Sequence, residues 1–192
     1  MRLFVAIFLP DPILSQLEGF KREQKSIEGL RWIPRQSLHI TLKFIGEVEP
    51  FRLPSIQAAL NRVNQSKDVF RLFCEGGGVF PNEKSPRVFW TGLKGDVTPL
   101  SQLAQAIEAE FESLGFPSEN RRFSPHLTVA RSRADASAEA GDVSGKFFRA
   151  FASYKSPEFV IHSFHLVQSH LRGTGSHYEI LETYEMRMLE RS

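Results

Sequence analysis

The chain has 192 residues, of which 41% are hydrophobic and 24% are charged, which is typical of a globular protein with one core or two small lobes. No apolar run approaches the roughly 20 residues of a membrane-spanning helix, and the short apolar stretch near Leu3 lacks a cleavage site, so we expect a cytoplasmic protein without membrane contact. The single cysteine, Cys74, excludes an intramolecular disulfide and a cysteine-based zinc site, and we expect it to be buried.

The formal net charge of +2 does not by itself indicate a nucleic-acid-binding protein, because affinity for phosphate depends on a local excess of Lys and Arg. Basic residues gather in the second half of the chain. An ordinary solvated surface and a basic rim around one site are the two interpretations of this cluster. Its members are Arg121, Arg122, Arg131, Arg133, Lys146, Arg149 and Lys155.

The first half predicts a strand, a helix, a strand, a helix and a strand in that order. A β-rich run at 2–9 precedes Asp11, which can cap a helix with apolar residues at helical spacing. A strand is predicted at 37–44, a helix at 54–63 and a strand at 69–74. The glycines at 76–78 and Pro81 are expected to mark a join.

The second half repeats this order after the join. A β-rich run at 87–93 is followed by a predicted helix at 98–114 and a strand at 124–130. A stretch rich in Ala, Ser, Asp and Gly at 134–145 is the best candidate for a mobile loop, and strands are predicted at 159–167 and 178–186. We therefore expect a single bilobal domain over 1–192 with an internal repeat at about 2–80 and 87–188.

Each copy carries a His-x-Thr motif on its second strand, at His39 and at His126. His39 follows the arginine that opens its copy by 37 residues, and His126 follows the equivalent arginine by 39. Chance gives about 0.2 such motifs in a chain of this composition, so two at equivalent places are hard to assign to coincidence. The alternative is that both are satisfied core histidines of a duplicated scaffold.

The chemistry of the motif follows from the alternation of side chains along a strand. His39 and Thr41 share one face, as do His126 and Thr128, while the aliphatic residues between them point to the other face. Two imidazoles across a cleft can supply a general base for water and a general acid for a leaving ribose oxygen, and hydroxyls can hold phosphate oxygens. This chemistry requires no metal and no cofactor.

These residues resemble the 2H phosphoesterases, and among them the RNA 2′,3′-cyclic phosphodiesterases, also called 2′-5′ RNA ligases. The resemblance covers nearly the whole chain. It is carried by the opening Arg-Leu-Phe-Val-Ala-Ile, by His-Ile-Thr-Leu-Lys-Phe-Ile-Gly from His39, by Arg-Val-Phe-Trp-Thr-Gly in the middle, and by Pro-His-Leu-Thr-Val-Ala-Arg ending at Arg131.

The resemblance implies an α+β, bilobal fold with two antiparallel sheets, outer helices and an active-site cleft between lobes that mix segments of both halves. It implies that His39 and His126 are catalytic and that Thr41, Thr128 and Arg131 contact the substrate phosphate. By analogy, His39 would be the acid toward the 3′ oxygen and His126 the base for water. Strict alternation places Arg131 on the opposite face, so its role requires a bend or a bulge.

The predicted function is metal-independent hydrolysis of a terminal RNA 2′,3′-cyclic phosphate to a 2′-phosphomonoester. The substrates would be RNA ends such as those of tRNA halves, or small cyclic nucleotides, and we expect a monomer. The alternatives are a 2′-5′ RNA ligase, which runs the same chemistry in reverse, and a non-catalytic module that binds RNA ends. Most phenylalanines are expected in the core; Phe44 could flank a base, although core is the favoured interpretation.

Overall fold

The fold is built from two antiparallel sheets and four α-helices, as seen in a computed structural model that describes residues 1–25, 27–119, 122–133, 140–172 and 175–188. The strands are β1 (Arg2–Phe8), β2 (Leu30–Trp32), β3 (His39–Glu47), β4 (Phe70–Phe80), β5 (Val88–Gly95), β6 (His126–Ser132), β7 (Phe159–Ile161), β8 (Ser163–Arg172) and β9 (Gly175–Glu185). The helices are α1 (Asp11–Glu23), α2 (Leu53–Asn64), α3 (Val97–Ser113) and α4 (Ala140–Phe151). The predicted α+β class with two antiparallel sheets is confirmed.

The two sheets have strand orders β3-β1-β8-β9 and β2-β6-β5-β4-β7. The run β3-β1-β8 of the first sheet corresponds to β6-β5-β4 of the second, if the copies are compared strand by strand. Each of these three-stranded runs takes two strands from one half of the chain and the third from the other half. The sheets are therefore not the two sequence copies, which agrees with lobes that mix both halves.

Helices cover one face of the sheets and leave the other face for the site. On the first sheet α3 contacts β3, where Lys43 Nζ lies 2.8 Å from both carboxylate oxygens of Glu108. Near the second sheet α1 meets α4 through the rings of Phe20 and Phe151, whose centroids are 4.8 Å apart. The large core under these helices contains Cys74, which is fully buried as expected.

Several sequence predictions need correction. Asp11 does not cap α1 but is its first helical residue, and its carboxylate accepts a hydrogen bond from Arg35 at 2.8 Å. The glycines at 76–78 lie inside β4, which runs on to Phe80, so they do not form a join. The predicted strand at 159–167 is two strands, β7 and β8, which are separated at His162.

The predicted mobile loop at 134–145 lies only partly within the described residues. Residues 134–139 lie outside them, whereas residues from Ala140 onward belong to α4. Arg121 of the basic cluster also lies outside the described residues. This helix was missed because its first turn contains Gly141 and Asp142, which favour turns in isolation. Its phenylalanines decide the outcome, since Phe147 and Phe151 are fully buried against the second sheet.

None of the described helices combines the length and the hydropathy that a membrane crossing requires.

Candidate active site on the paired strands

The two His-x-Thr motifs lie on β3 and β6, where the two sheets meet and these strands contact each other. In β3, Ile40 is 1% exposed, whereas His39 and Thr41 are only half-buried on the other face. In β6, Leu127 is fully buried, and His126 and Thr128 are half-buried. Both imidazoles therefore sit on the face away from the helices, and neither points into the core.

Each motif strand has an irregularity three residues after its histidine. Pairing of β1 with β3 passes from Ala6↔Thr41 to Val5↔Lys43, which leaves Leu42 as an extra residue. Pairing of β5 with β6 passes from Trp90↔Thr128 to Phe89↔Ala130, which leaves Val129 extra. A bulge of this kind reverses the alternation beyond it, so the residue five positions after each histidine turns to the face of the histidine.

The bulges place Phe44 and Arg131 on the site face. Arg131 is exposed, and its charge acts on His39 of the other sheet, so the bulge that its predicted role required is present. Phe44 is 71% exposed, with its ring centroid 6.2 Å from that of Phe4. The expectation that Phe44 belongs to the core is wrong, because the bulge at Leu42 turns Lys43 inward in its place.

The two imidazoles make the same type of hydrogen bond through Nδ1. His39 Nδ1 lies 2.8 Å from the carbonyl oxygen of Ser37, and His126 Nδ1 lies 2.7 Å from that of Ser124. A carbonyl oxygen can only accept a hydrogen bond, so each Nδ1 carries the hydrogen. In the neutral ring Nε2 is then the unprotonated nitrogen, available to a substrate.

Aromatic rings flank both imidazoles. The His39 ring has its centroid 5.0 Å from that of Phe4 and 5.2 Å from that of Tyr178. The His126 ring lies 5.2 Å from Phe80 and 6.1 Å from Trp90, centroid to centroid. No role is predicted for these rings from the sequence, because they are brought beside the histidines by the pairing of strands, which residue order does not show.

Trp90 in turn packs against Gly78. A Cβ added at Gly78 would come within 2.1 Å of the indole, so only glycine leaves room for this ring. Gly78 pairs directly with Trp90 across β4 and β5. The glycine-rich stretch at 76–78, which is not a join, therefore helps to shape the surroundings of His126.

The pKa of His39 is lowered from 6.5 to about 4. Burial is the largest cause, since it penalises the charged imidazolium. The hydrogen bond to Ser37 raises the pKa, and the positive charge of Arg131 lowers it further. In the free protein His39 is therefore neutral at pH 7.

Two described members of the basic cluster of the second half pair with nearby carboxylates. Lys155 contacts Glu75 at 3.4 Å and lies over the ring of Phe73, and Lys146 contacts Asp142 within α4. Arg131 is a member of the cluster whose charge acts on His39.

Comparison with known proteins identifies the family. Residues 9–173 match the model of the 2′-5′ RNA ligase superfamily. The chain therefore belongs to this superfamily, and the resemblance to the 2H phosphoesterases is confirmed.

Two relatives that share a name match this chain over almost its whole length. A protein of Archaeoglobus fulgidus named RNA 2′,3′-cyclic phosphodiesterase is 34% identical over 185 residues, which are 96% of this chain and 100% of the relative. A protein of Thermus thermophilus with that name is 31% identical over 193 residues, covering 97% of this chain and 91% of the relative.

Solved structures agree with the fold. The crystal structure of TT0787 of Thermus thermophilus has a TM-score of 0.80 and 30% identity, and the match covers 99% of this chain and 100% of that one. The crystal structure of Escherichia coli LigT complexed with 3′-AMP has a TM-score of 0.75 and 24% identity, and covers 96% and 97% of the two chains. The latter similarity concerns the fold alone.

Proposed function

We propose that this protein is an RNA 2′,3′-cyclic phosphodiesterase that hydrolyses a terminal cyclic phosphate to a 2′-phosphomonoester. The observation that carries the proposal is the matched pair of imidazoles, His39 and His126, on contacting strands with both Nε2 atoms left for a substrate. The relatives named RNA 2′,3′-cyclic phosphodiesterase, which are similar over nearly the full chain, support it.

The reaction needs two proton transfers. Water attacks the phosphorus opposite the 3′ oxygen and gives one proton to a base, the bond from phosphorus to the 3′ oxygen breaks, and an acid gives one proton to that oxygen. The product keeps phosphate on the 2′ oxygen. Positioned imidazoles contribute typically 10²- to 10⁴-fold to such a step.

We assign the base to His39 and the acid to His126. His39 is neutral in the free protein, so it can accept the proton of water, and a bound phosphate raises its pKa by placing a negative charge beside it. This reverses the assignment that the family resemblance suggested. The lowered pKa of His39 is the observation that favours this assignment.

Thr41, Thr128 and Arg131 would hold the phosphate. The two hydroxyls share the face of the imidazoles, and each can donate to a non-bridging oxygen, where negative charge grows in the transition state. Arg131 adds a charged planar donor that suits phosphate.

The proposal is tested by measuring hydrolysis of adenosine 2′,3′-cyclic phosphate in the presence of EDTA. We expect turnover by the wild type and a loss of 10²- to 10⁴-fold in kcat for His39→Ala and for His126→Ala. His162→Ala is the matched control, since this exposed imidazole lies between β7 and β8. Full turnover in either site variant would overturn the proposal, as would binding of RNA ends without hydrolysis.

The roles of the two imidazoles are separated by a substrate with sulfur in place of the 3′ oxygen. A thiolate leaves without protonation, so the defect of His126→Ala should shrink by at least tenfold on this substrate, whereas that of His39→Ala should persist. Rescue of His39→Ala instead would restore the assignment based on the resemblance.

Ligation is the second candidate function, because the family is described as the 2′-5′ RNA ligase superfamily. A 5′-hydroxyl end would then replace water as the nucleophile. Incubation with paired tRNA halves tests it: a nuclease-resistant 2′-5′ junction supports ligation, and release of 2′-phosphate ends alone refutes it.

A further inference from the structure

A second arginine lies directly beside Arg131. In the antiparallel pairing of β2 with β6, Arg31 is the residue opposite Arg131. The short strand β2 is held in this register beyond its ends, since Ile33 N–H donates to Val129 at 2.9 Å and Arg133 N–H donates to Gly29 at 2.9 Å. The position of Arg31 is therefore set by the backbone.

Arg31 also shares the face of Arg131. Its neighbour Leu30 is 4% exposed and Trp32 packs against the core, whereas Arg31 is exposed. Alternation along β2 thus directs Arg31 away from the core, as the bulge at Val129 does for Arg131.

Two like charges directly opposite each other on neighbouring strands are destabilising. In the ranges that the structure describes, neither Arg31 nor Arg131 forms an ion pair with a carboxylate. An arrangement that costs stability and has no protein counter-ion is suited to a ligand with two negative groups. The paired strands are about 4.7–4.9 Å apart, and arginine side chains are long, so the two guanidinium groups can each hold a separate phosphate.

A terminal RNA nucleotide with a cyclic phosphate has two such groups, namely the cyclic phosphate itself and the 5′-phosphate that joins it to the preceding nucleotide. We propose that Arg31 binds this 5′-phosphate while Arg131 contacts the cyclic phosphate. Arg31 is then a specificity residue that favours RNA ends over free nucleoside cyclic phosphates. This inference rests on the proposed function and deepens it.

The kinetic test compares adenosine 2′,3′-cyclic phosphate with its 5′-phosphorylated form. We expect kcat/KM of the wild type to favour the 5′-phosphorylated substrate by roughly 10- to 100-fold, the range of a charged hydrogen bond. In Arg31→Gln this ratio should fall to near one. Arg22→Gln, which removes an exposed arginine of α1, should keep the wild-type ratio.

Two kinetic outcomes would overturn the inference. An unchanged ratio in Arg31→Gln would show that Arg31 does not contact the 5′-phosphate. An equal loss on both substrates would show that Arg31 acts on the cyclic phosphate together with Arg131. Arg31→Lys should retain part of the preference, because it keeps the charge and loses the planar donor.

A binding test is independent of turnover. Calorimetric titration with adenosine 2′-phosphate and with adenosine 2′,5′-bisphosphate measures the gain from the 5′-phosphate without hydrolysis. A wild type that binds the bisphosphate more tightly, with the gain lost in Arg31→Gln, would support the role of Arg31 even if no cyclic substrate were cleaved. Equal affinity of the wild type for both nucleotides would refute it.

Discussion

The lowered pKa of His39 predicts a loss of stability in mild acid. An unfolded imidazole has a pKa near 6.5, whereas that of His39 in the folded protein is about 4. Between these values the unfolded state binds the proton and the folded state does not, so stability falls as the pH falls. The contribution is fully present above about pH 6.5 and is lost progressively down to about pH 4.

The magnitude follows from the two pKa values. One pKa unit corresponds to about 1.4 kcal/mol, so the complete effect is about 3 kcal/mol, and about 2 kcal/mol of it falls between pH 7 and pH 5. Urea unfolding of the wild type and of His39→Gln at both pH values measures it. The wild type should lose about 2 kcal/mol more than the variant on going to pH 5.

Arg131→Gln supplies a second arm of this experiment. The positive charge of Arg131 lowers the pKa of His39. Its removal should therefore raise that pKa and reduce the extra loss of stability in acid. Arg22→Gln controls for the removal of a charge elsewhere on the surface. Equal pH dependence of the unfolding free energy in the wild type and in His39→Gln would refute the reasoning. An NMR titration of the His39 imidazole would measure its pKa directly.

Four further substitutions have expected outcomes. Thr41→Val and Thr128→Val should each lower kcat by roughly 10- to 100-fold in the cyclic phosphodiesterase assay, because each removes a hydroxyl that we propose donates to the phosphate. Lys43→Met should cost about 2–3 kcal/mol in urea unfolding, less than a fully buried pair, because its carboxylate partner remains 27% exposed. Gly78→Ala should cost about 1–3 kcal/mol and reduce activity, because the new methyl group displaces the Trp90 ring that flanks the His126 imidazole.

Matched controls make these outcomes specific. Pairing Lys43→Met with Glu108→Leu removes both charges and should recover most of the lost stability, whereas no recovery would mean that packing alone was damaged. Thr91→Val removes a buried hydroxyl on the opposite face, where it donates to Gly76 at 2.7 Å. That variant should lose stability without the kcat defect; an equal kcat defect would contradict a phosphate contact by the motif threonines.

The sequence alone determined the parts of this protein that depend on local pattern. Alternation in residues 37–44 and 124–130 identified the motif strands. Helical spacing identified α1 and placed the ends of α2 and α3 within one residue of those observed. The repeated His-x-Thr at equivalent places pointed to two imidazoles acting together. These signals are readable because period-two and period-3.6 burial leave a direct trace in residue order.

Tertiary structure alone decided which face the residues beyond each motif occupy. The bulges at Leu42 and Val129 bury Lys43 and turn Phe44 and Arg131 toward the site, and they exist because neighbouring strands pair with an extra residue on one side. The pairing of Arg31 with Arg131 and the burial that lowers the pKa of His39 likewise arise between segments distant in sequence. Residue order does not encode such contacts locally, because each depends on the register of strands brought together only by folding.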